Sequence, residues 1–123
     1  ELKPNVITLN AAISACEKGG QWEKAVDLFN SMKDRGVEPN VVTFGAVISA
    51  CEKGGQWEKA VDLFNSMKDR GVEPNVVTFG AVISACEKGG QWEKALELSS
   101  DRRHSELFDY QYWPSGGDGV VGF

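Results

Sequence analysis

The sequence carries one histidine, three cysteines and no surplus of basic residues, and each scarcity removes a class of function. His104 alone cannot supply a cluster of imidazole metal ligands, nor a histidine-paired nucleophile repeated along the chain. No catalytic constellation is visible, so the chain reads as a non-enzyme with neither cofactor nor metal. No apolar run approaches the roughly 18 residues that a membrane-spanning helix requires. Lys and Arg number 13 against 18 Asp and Glu, for a formal charge of −5. Surfaces that grip nucleic acid are usually basic, because cations neutralise phosphates and release counterions. The acidic balance therefore weighs against tight phosphate binding by this segment alone.

The three cysteines, Cys16, Cys51 and Cys86, are spaced by 35 residues, each inside an apolar helical stretch. Equivalent positions on packed helices lie about 8–10 Å apart. Disulfide Cα atoms need about 4.4–6.8 Å. They read as small buried hydrophobes, and nothing requires an oxidising compartment.

The same spacing governs the whole chain. Val6–Asn40 and Val41–Asn75 agree at 31 of 35 positions, and Val41–Ala60 recurs unchanged as Val76–Ala95. A period of this length denotes stacked supersecondary units that bury their apolar faces against one another. The expected organisation is 1–5 as the end of a preceding repeat, 6–40 and 41–75 as full repeats, and 76–100 as a partial repeat. Residues 101–123 are expected to form a divergent, partly disordered tail. Glu1–Asn5 aligns with Gly36–Asn40 and keeps the Pro-Asn pair, so the sequence reads as a piece of a longer array. No leader segment is visible, which is uninformative for such a piece.

One unit shows how each repeat folds. Phe44, Val47, Ile48 and Cys51 share a helical face, with Thr43 as the expected N-cap. Gly54-Gly55 breaks that helix, and Trp57, Ala60, Val61, Phe64 and Met67 mark a second amphipathic one. Gly71 suits a left-handed C-terminal cap, and Pro74 forbids continuation. The predicted fold class is all-α, an α-solenoid of stacked 35-residue helix-turn-helix hairpins. Trp22, Trp57 and Trp92 open the second helices and are expected to pack between the two helices of a hairpin, rather than to stack on bases.

A 35-residue hairpin ending Gly-Val-Glu-Pro-Asn and resuming Val-Val-Thr-Phe resembles the pentatricopeptide repeat family. The likeness covers residues 1 to about 98, including Val-Ile-Ser-Ala-Cys-Glu-Lys-Gly-Gly and Ala-Val-Asp-Leu-Phe-Asn-Ser-Met-Lys. Tetratricopeptide repeats share the Ala60…Phe64 spacing but have a 34-residue period and an early Trp in the first helix. The resemblance implies recognition of single-stranded RNA, one base per repeat, in RNA processing or stability, within a mitochondrion or plastid. It implies that the first helices line a concave groove, where one first-helix residue and the last residue of the repeat contact a base edge.

Carried onto this chain, the base-contacting pairs are Asn10 with Asn40 and Gly45 with Asn75. Asn5 closes an earlier pair, and Gly80 has lost its closing partner. Asn10/Asn40 implies a pyrimidine, cytosine ahead of uracil, whereas Gly45/Asn75 is off-pattern and implies at most a weak purine lean. Ile7, Val42 and Val77 match base-sandwiching positions. Lys18, Lys53 and Lys88 match phosphate-contacting positions, each preceded by an acid (Glu17, Glu52, Glu87) that blunts its field. For the residues alone, Asn after Pro ahead of a helix is an ordinary turn residue, and Gly in a helix reads no base.

The four differences between the full repeats, Ile7/Val42, Leu9/Phe44, Asn10/Gly45 and Ala12/Val47, all fall at the front of the first helix. Two are base-contacting or sandwiching positions, and the other two are compatible with compensating core swaps. Beyond Leu98 the pattern stops, with Ser99 standing where Phe29 and Phe64 stood. Helix is expected to run on toward Leu107, followed either by a cap built on Phe108, Tyr110 and Trp113 or by sequence unrelated to the fold. RNA binding and protein binding by the same concave face remain the two functional readings. The partners are accordingly single-stranded RNA or protein, with neither a membrane nor a small-molecule substrate.

Overall fold

Helices that open a repeat start where the chain leaves an extended Asn, their partners start after a Gln, and all but the last stop before a glycine that turns left-handed. In the computed structural model, which describes residues 5–104, they are α1 (Val6–Lys18), α2 (Trp22–Asp34), α3 (Val41–Lys53), α4 (Trp57–Asp69), α5 (Val76–Lys88) and α6 (Trp92–Ser99). The described residues contain no strand. Asn40 and Asn75 are the N-caps of α3 and α5, each with extended backbone and a side-chain oxygen that accepts from the N3 amide. This displaces Thr43 from the cap assigned to it by sequence. Thr43 sits at N3 instead, and its hydroxyl accepts from the Asn40 backbone N–H to complete a capping box. Gly55 and Gly71 adopt φ of 72° and 70°, which lets the chain reverse after α3 and leave α4 without a Cβ penalty.

The helices form two layers. α1, α3 and α5 lie side by side, α2 packs on α3 and α4 packs on α5, while α2 and α4 do not meet. Each second helix thus closes its own hairpin and wedges against the first helix of the next repeat. Phe44, Val47, Ile48 and Met67 are fully buried between the layers, and fully burying such a side chain contributes about 1.5–3 kcal/mol. Phe29 meets Phe44 edge-on at 5.1 Å, and Phe64 meets Phe79 at 4.9 Å, so an aromatic pair spans each repeat junction.

The tryptophans also contact the next repeat, which the expectation of packing within a hairpin did not include. Trp22 lies against Gly54 and Trp57 against Gly89, each reaching the end of the next repeat's first helix. Trp92, at the same position of the third unit, is 64 % exposed. The cysteines are free thiols, Cys51 and Cys86 fully buried and Cys16 partly so.

The end of the repeat pattern is a break rather than a longer helix. α6 stops at Ser99, and 102–104 form a new helical turn that Asp101 begins, accepting from the Arg103 N–H at 2.9 Å. Asp101 also takes two bonds from the Arg103 guanidinium, at 3.0 and 2.9 Å. Those bonds hold the carboxyl below the usual carboxylate range. The Arg103 guanidinium stands 5.6 Å from the ring centres of both Phe64 and Phe79. Arg70 takes the same station over Phe29, one junction earlier. A residue outside the repeat register therefore supplies the cation–π contact that the regular repeat supplies with Arg70. Leu107, Phe108, Tyr110 and Trp113 lie outside the described residues.

Candidate nucleic-acid interface

The aligned first helices put equivalent residues of successive repeats into rows. At the second position of each repeat, Ile7, Val42 and Val77 are 74 %, 58 % and 58 % exposed, apolar side chains left in water in a molecule that buries most of its others. Val42 and Val77 share a concavity of about 260 Å³ with Asn10, Gly45, Asn75 and Glu17. The fold thus gathers both complete sequence-derived pairs at or beside one groove. Asn5 stands apart from it as the α1 N-cap, accepting from the Thr8 N–H at 2.9 Å.

The first pair is physically joined. Asn10 Nδ2 donates to Asn40 Oδ1 at 3.2 Å, although 30 residues separate them. Asn40 Oδ1 also accepts from the Thr43 N–H at 3.1 Å, and the Thr43 hydroxyl donates to Asn10 Oδ1 at 2.5 Å. These bonds occupy the Asn40 oxygen. They leave both Asn40 Nδ2 hydrogens, one Asn10 Nδ2 hydrogen and one Asn10 lone pair for a ligand. The displayed edge is mostly donors.

The second pair is built differently. Gly45 offers no side chain, so the Thr78 hydroxyl donates to the Asn75 backbone oxygen at 3.0 Å. Asn75 Oδ1 still accepts from the Thr78 N–H, at 3.0 Å. A Cβ on Gly45 would stand 3.2 Å from Val77 Cγ1, whereas a Cβ on Gly80 would meet nothing within 4 Å.

The lysines are paired across repeats rather than with the acid beside them. Lys53 Nζ binds Glu17 Oε2 and Lys88 Nζ binds Glu52 Oε2. Adjacent residues on a helix do not face each other, and stacking brings the preceding repeat's acid into reach instead. Ser84 adds a donor to Glu52 at 3.1 Å. The bond to Glu52, reinforced by its charge, pushes the Lys88 ammonium above its ordinary range. Lys18, in the first repeat, has no ion-pair partner among the described residues. The described residues contain no cluster of His, Cys, Asp and Glu that could hold a metal, and no helix long and apolar enough to cross a membrane.

Sequence reasoning missed Thr43, the one side chain that touches both members of the first pair. Its signal was present as Asn-x-x-Thr at Asn40…Thr43 and Asn75…Thr78, a capping spacing at the start of each first helix.

No curated protein sequence matches the chain. Among solved structures, maize pentatricopeptide repeat protein PPR10 superposes with a TM-score of 0.74 at 31 % identity, over 86 % of this chain and 15 % of that one. A cysteine-to-serine variant of PPR10 in complex with an 18-nucleotide psaJ RNA element gives 0.73 at 31 % identity, over 79 % of this chain and 14 % of that one. PPR10 bound to the same element gives 0.72 at 28 % identity, over 90 % of this chain and 16 % of that one. The chain therefore spans about 15 % of the length of PPR10. The model of the PPR repeat family matches residues 4–53 and 39–88, in register with the paired helices. With its period, its two helical layers and these matches in agreement, the chain belongs to the PPR repeat family.

Proposed function

We propose that the groove of α1, α3 and α5 binds single-stranded RNA, reads one base per repeat and performs no catalysis. The observation that carries this reading is the hydrogen-bonded Asn10–Asn40 pair beside the exposed row Ile7, Val42 and Val77. Flat apolar surface suits the faces of a base, and amide groups suit its edge. Cytosine offers two adjacent acceptors, O2 and N3, to the donor-rich edge of the pair. Uracil places an N3–H donor between its acceptors, so cytosine is preferred. Gly45 with Asn75 contributes little selectivity. PPR10, which has the same fold, has been crystallised with RNA. A role in RNA processing or stability within a mitochondrion or plastid follows the family's usual setting.

A second reading, a protein-binding scaffold that uses the same face, draws on the ion pairs. Lys53 and Lys88 are neutralised by Glu17 and Glu52, which leaves the groove with little net pull on phosphates. Mapping of backbone and side-chain amide shifts on adding a cytosine oligonucleotide separates the two. RNA reading predicts shifts at Asn10, Asn40, Val42 and Val77. Shifts absent at millimolar RNA would favour the scaffold.

A further inference from the structure

We infer that Thr43 is a positioning residue that sets which way the Asn10 amide faces, and so fixes the hydrogen-bonding polarity of the first base-reading pair. Thr43 is fully buried, yet its hydroxyl is the hub of the pair's polar contacts. It accepts from the Asn40 backbone N–H at 3.0 Å and donates to Asn10 Oδ1 at 2.5 Å. A hydroxyl has a single hydrogen. Two acceptors are in reach, Asn10 Oδ1 at 2.5 Å and Asn40 Oδ1 at 3.1 Å, and the closer is Asn10, so Asn10 Oδ1 is held toward Thr43 and Nδ2 toward Asn40 Oδ1, 3.2 Å away. An amide turned over would turn the hydroxyl hydrogen away to Asn40 Oδ1, 3.1 Å off, and would set the Asn10 oxygen against that same Asn40 Oδ1. The oxygen–oxygen contact would be repulsive.

The molecule contains its own control. Thr78 occupies the same place one repeat later, is equally buried, and accepts from the Asn75 backbone N–H at 2.9 Å. Its hydroxyl hydrogen goes to the Asn75 backbone oxygen, because Gly45 presents no amide. The capping function is common to both threonines. Between the two, the hydroxyl bond to a first-helix reading residue belongs to Thr43 alone. A base-reading residue is thereby oriented by the first helix of the following repeat, so the two repeats act as one reading unit.

The test compares Thr43→Val, Thr78→Val and Thr43→Ser in the full 123-residue chain. Both valine variants lose the same cap bond and should lower the melting temperature alike. Two further readouts follow: protection of the Asn10 side-chain amide hydrogens by NMR, and the affinity ratio of oligo(C) to oligo(U). Thr43→Val should remove the protection and reduce the ratio about fivefold, the worth of one hydrogen bond. Thr78→Val should leave both unchanged, and Thr43→Ser should restore both. Equal effects of the two valine variants would overturn the inference. The base-ratio readout rests on the RNA-binding proposal, whereas the amide readout does not. If the parent chain binds no RNA, that proposal fails, and Asn10 protection still decides the role of Thr43.

Discussion

Trp22 occupies the space that a side chain on Gly54 would need: a Cβ there would stand 2.7 Å from Trp22 Cγ and 3.1 Å from its Cβ. Trp57 and Gly89 repeat the arrangement one junction later. Each tryptophan uses the bare helix end of the next repeat as its seat, and the repeats are keyed together there.

Gly54→Ala should therefore destabilise the chain by about 1–3 kcal/mol, the range for inserting atoms into a packed site. Gly80→Ala lies in open space on α5 and should stabilise it by up to about 1 kcal/mol, through helix propensity alone. Thermal melts of the two variants should move in opposite directions. A stable Gly54→Ala protein would remove the keying role.

Glu17→Gln should release Lys53 from its ion pair. If RNA lies in the groove, affinity should rise, and the slope of log affinity against log salt should steepen by about 0.7, the value for one further cation neutralising a single-strand phosphate. An unchanged slope would take Lys53 out of the phosphate-contacting set.

Gly45→Asn should complete a second pair with Asn75 and give the Thr78 hydroxyl an amide to orient. Cytosine oligonucleotides should then bind about tenfold more tightly, within the roughly 1–3 kcal/mol that one good side-chain–base pairing contributes. Crowding against Val77 Cγ1, 3.2 Å from the new Cβ, is the opposing effect, and a melt on the same variant reports it.

Burial pushes the Cys51 thiol up to about 11 from its ordinary 9.0. The folded state therefore holds this proton more tightly than the unfolded chain. The resulting stability is full below about pH 9 and is lost as pH rises through about 11. Cys86 is shifted the same way, also by burial. At pH 8 a thiol reagent should modify partly exposed Cys16 first, with Cys51 and Cys86 protected until unfolding. Equal rates at all three would contradict the packing described.

The hairpins and their ends could be read from the sequence because their causes are local. Apolar residues three and four apart, the Gly-Gly breaks and the Gly-Val-Glu-Pro stop act within a few residues. The cap was misplaced at Thr43 because Asn and Thr are both good caps. Val41 packs only partly against the core and Val42 is exposed, so neither marks where the stripe begins. What decides is the extended backbone of Asn40, at φ −117° and ψ −173°. The cross-repeat contacts were hidden for another reason. Lys53–Glu17 and Trp22–Gly54 depend on how one hairpin seats on the next, and adjacency in sequence suggested only the neighbouring acid and the same hairpin. At the tail, the loss of the apolar residue at Ser99 and the turn at Ser100-Asp101 end α6, a separate helical turn follows at 102–104, and Leu107 lies outside the described residues.

The central claim, that Asn10 reads a base, is tested most directly by titrating the chain with oligo(C), oligo(U), oligo(A) and oligo(G) at two salt concentrations, beside Asn10→Gly. The account predicts binding in the order C, U, then the purines, with the pyrimidine preference lost in the variant. Equal, salt-sensitive binding to all four by both proteins would reduce the groove to phosphate attraction and contradict it.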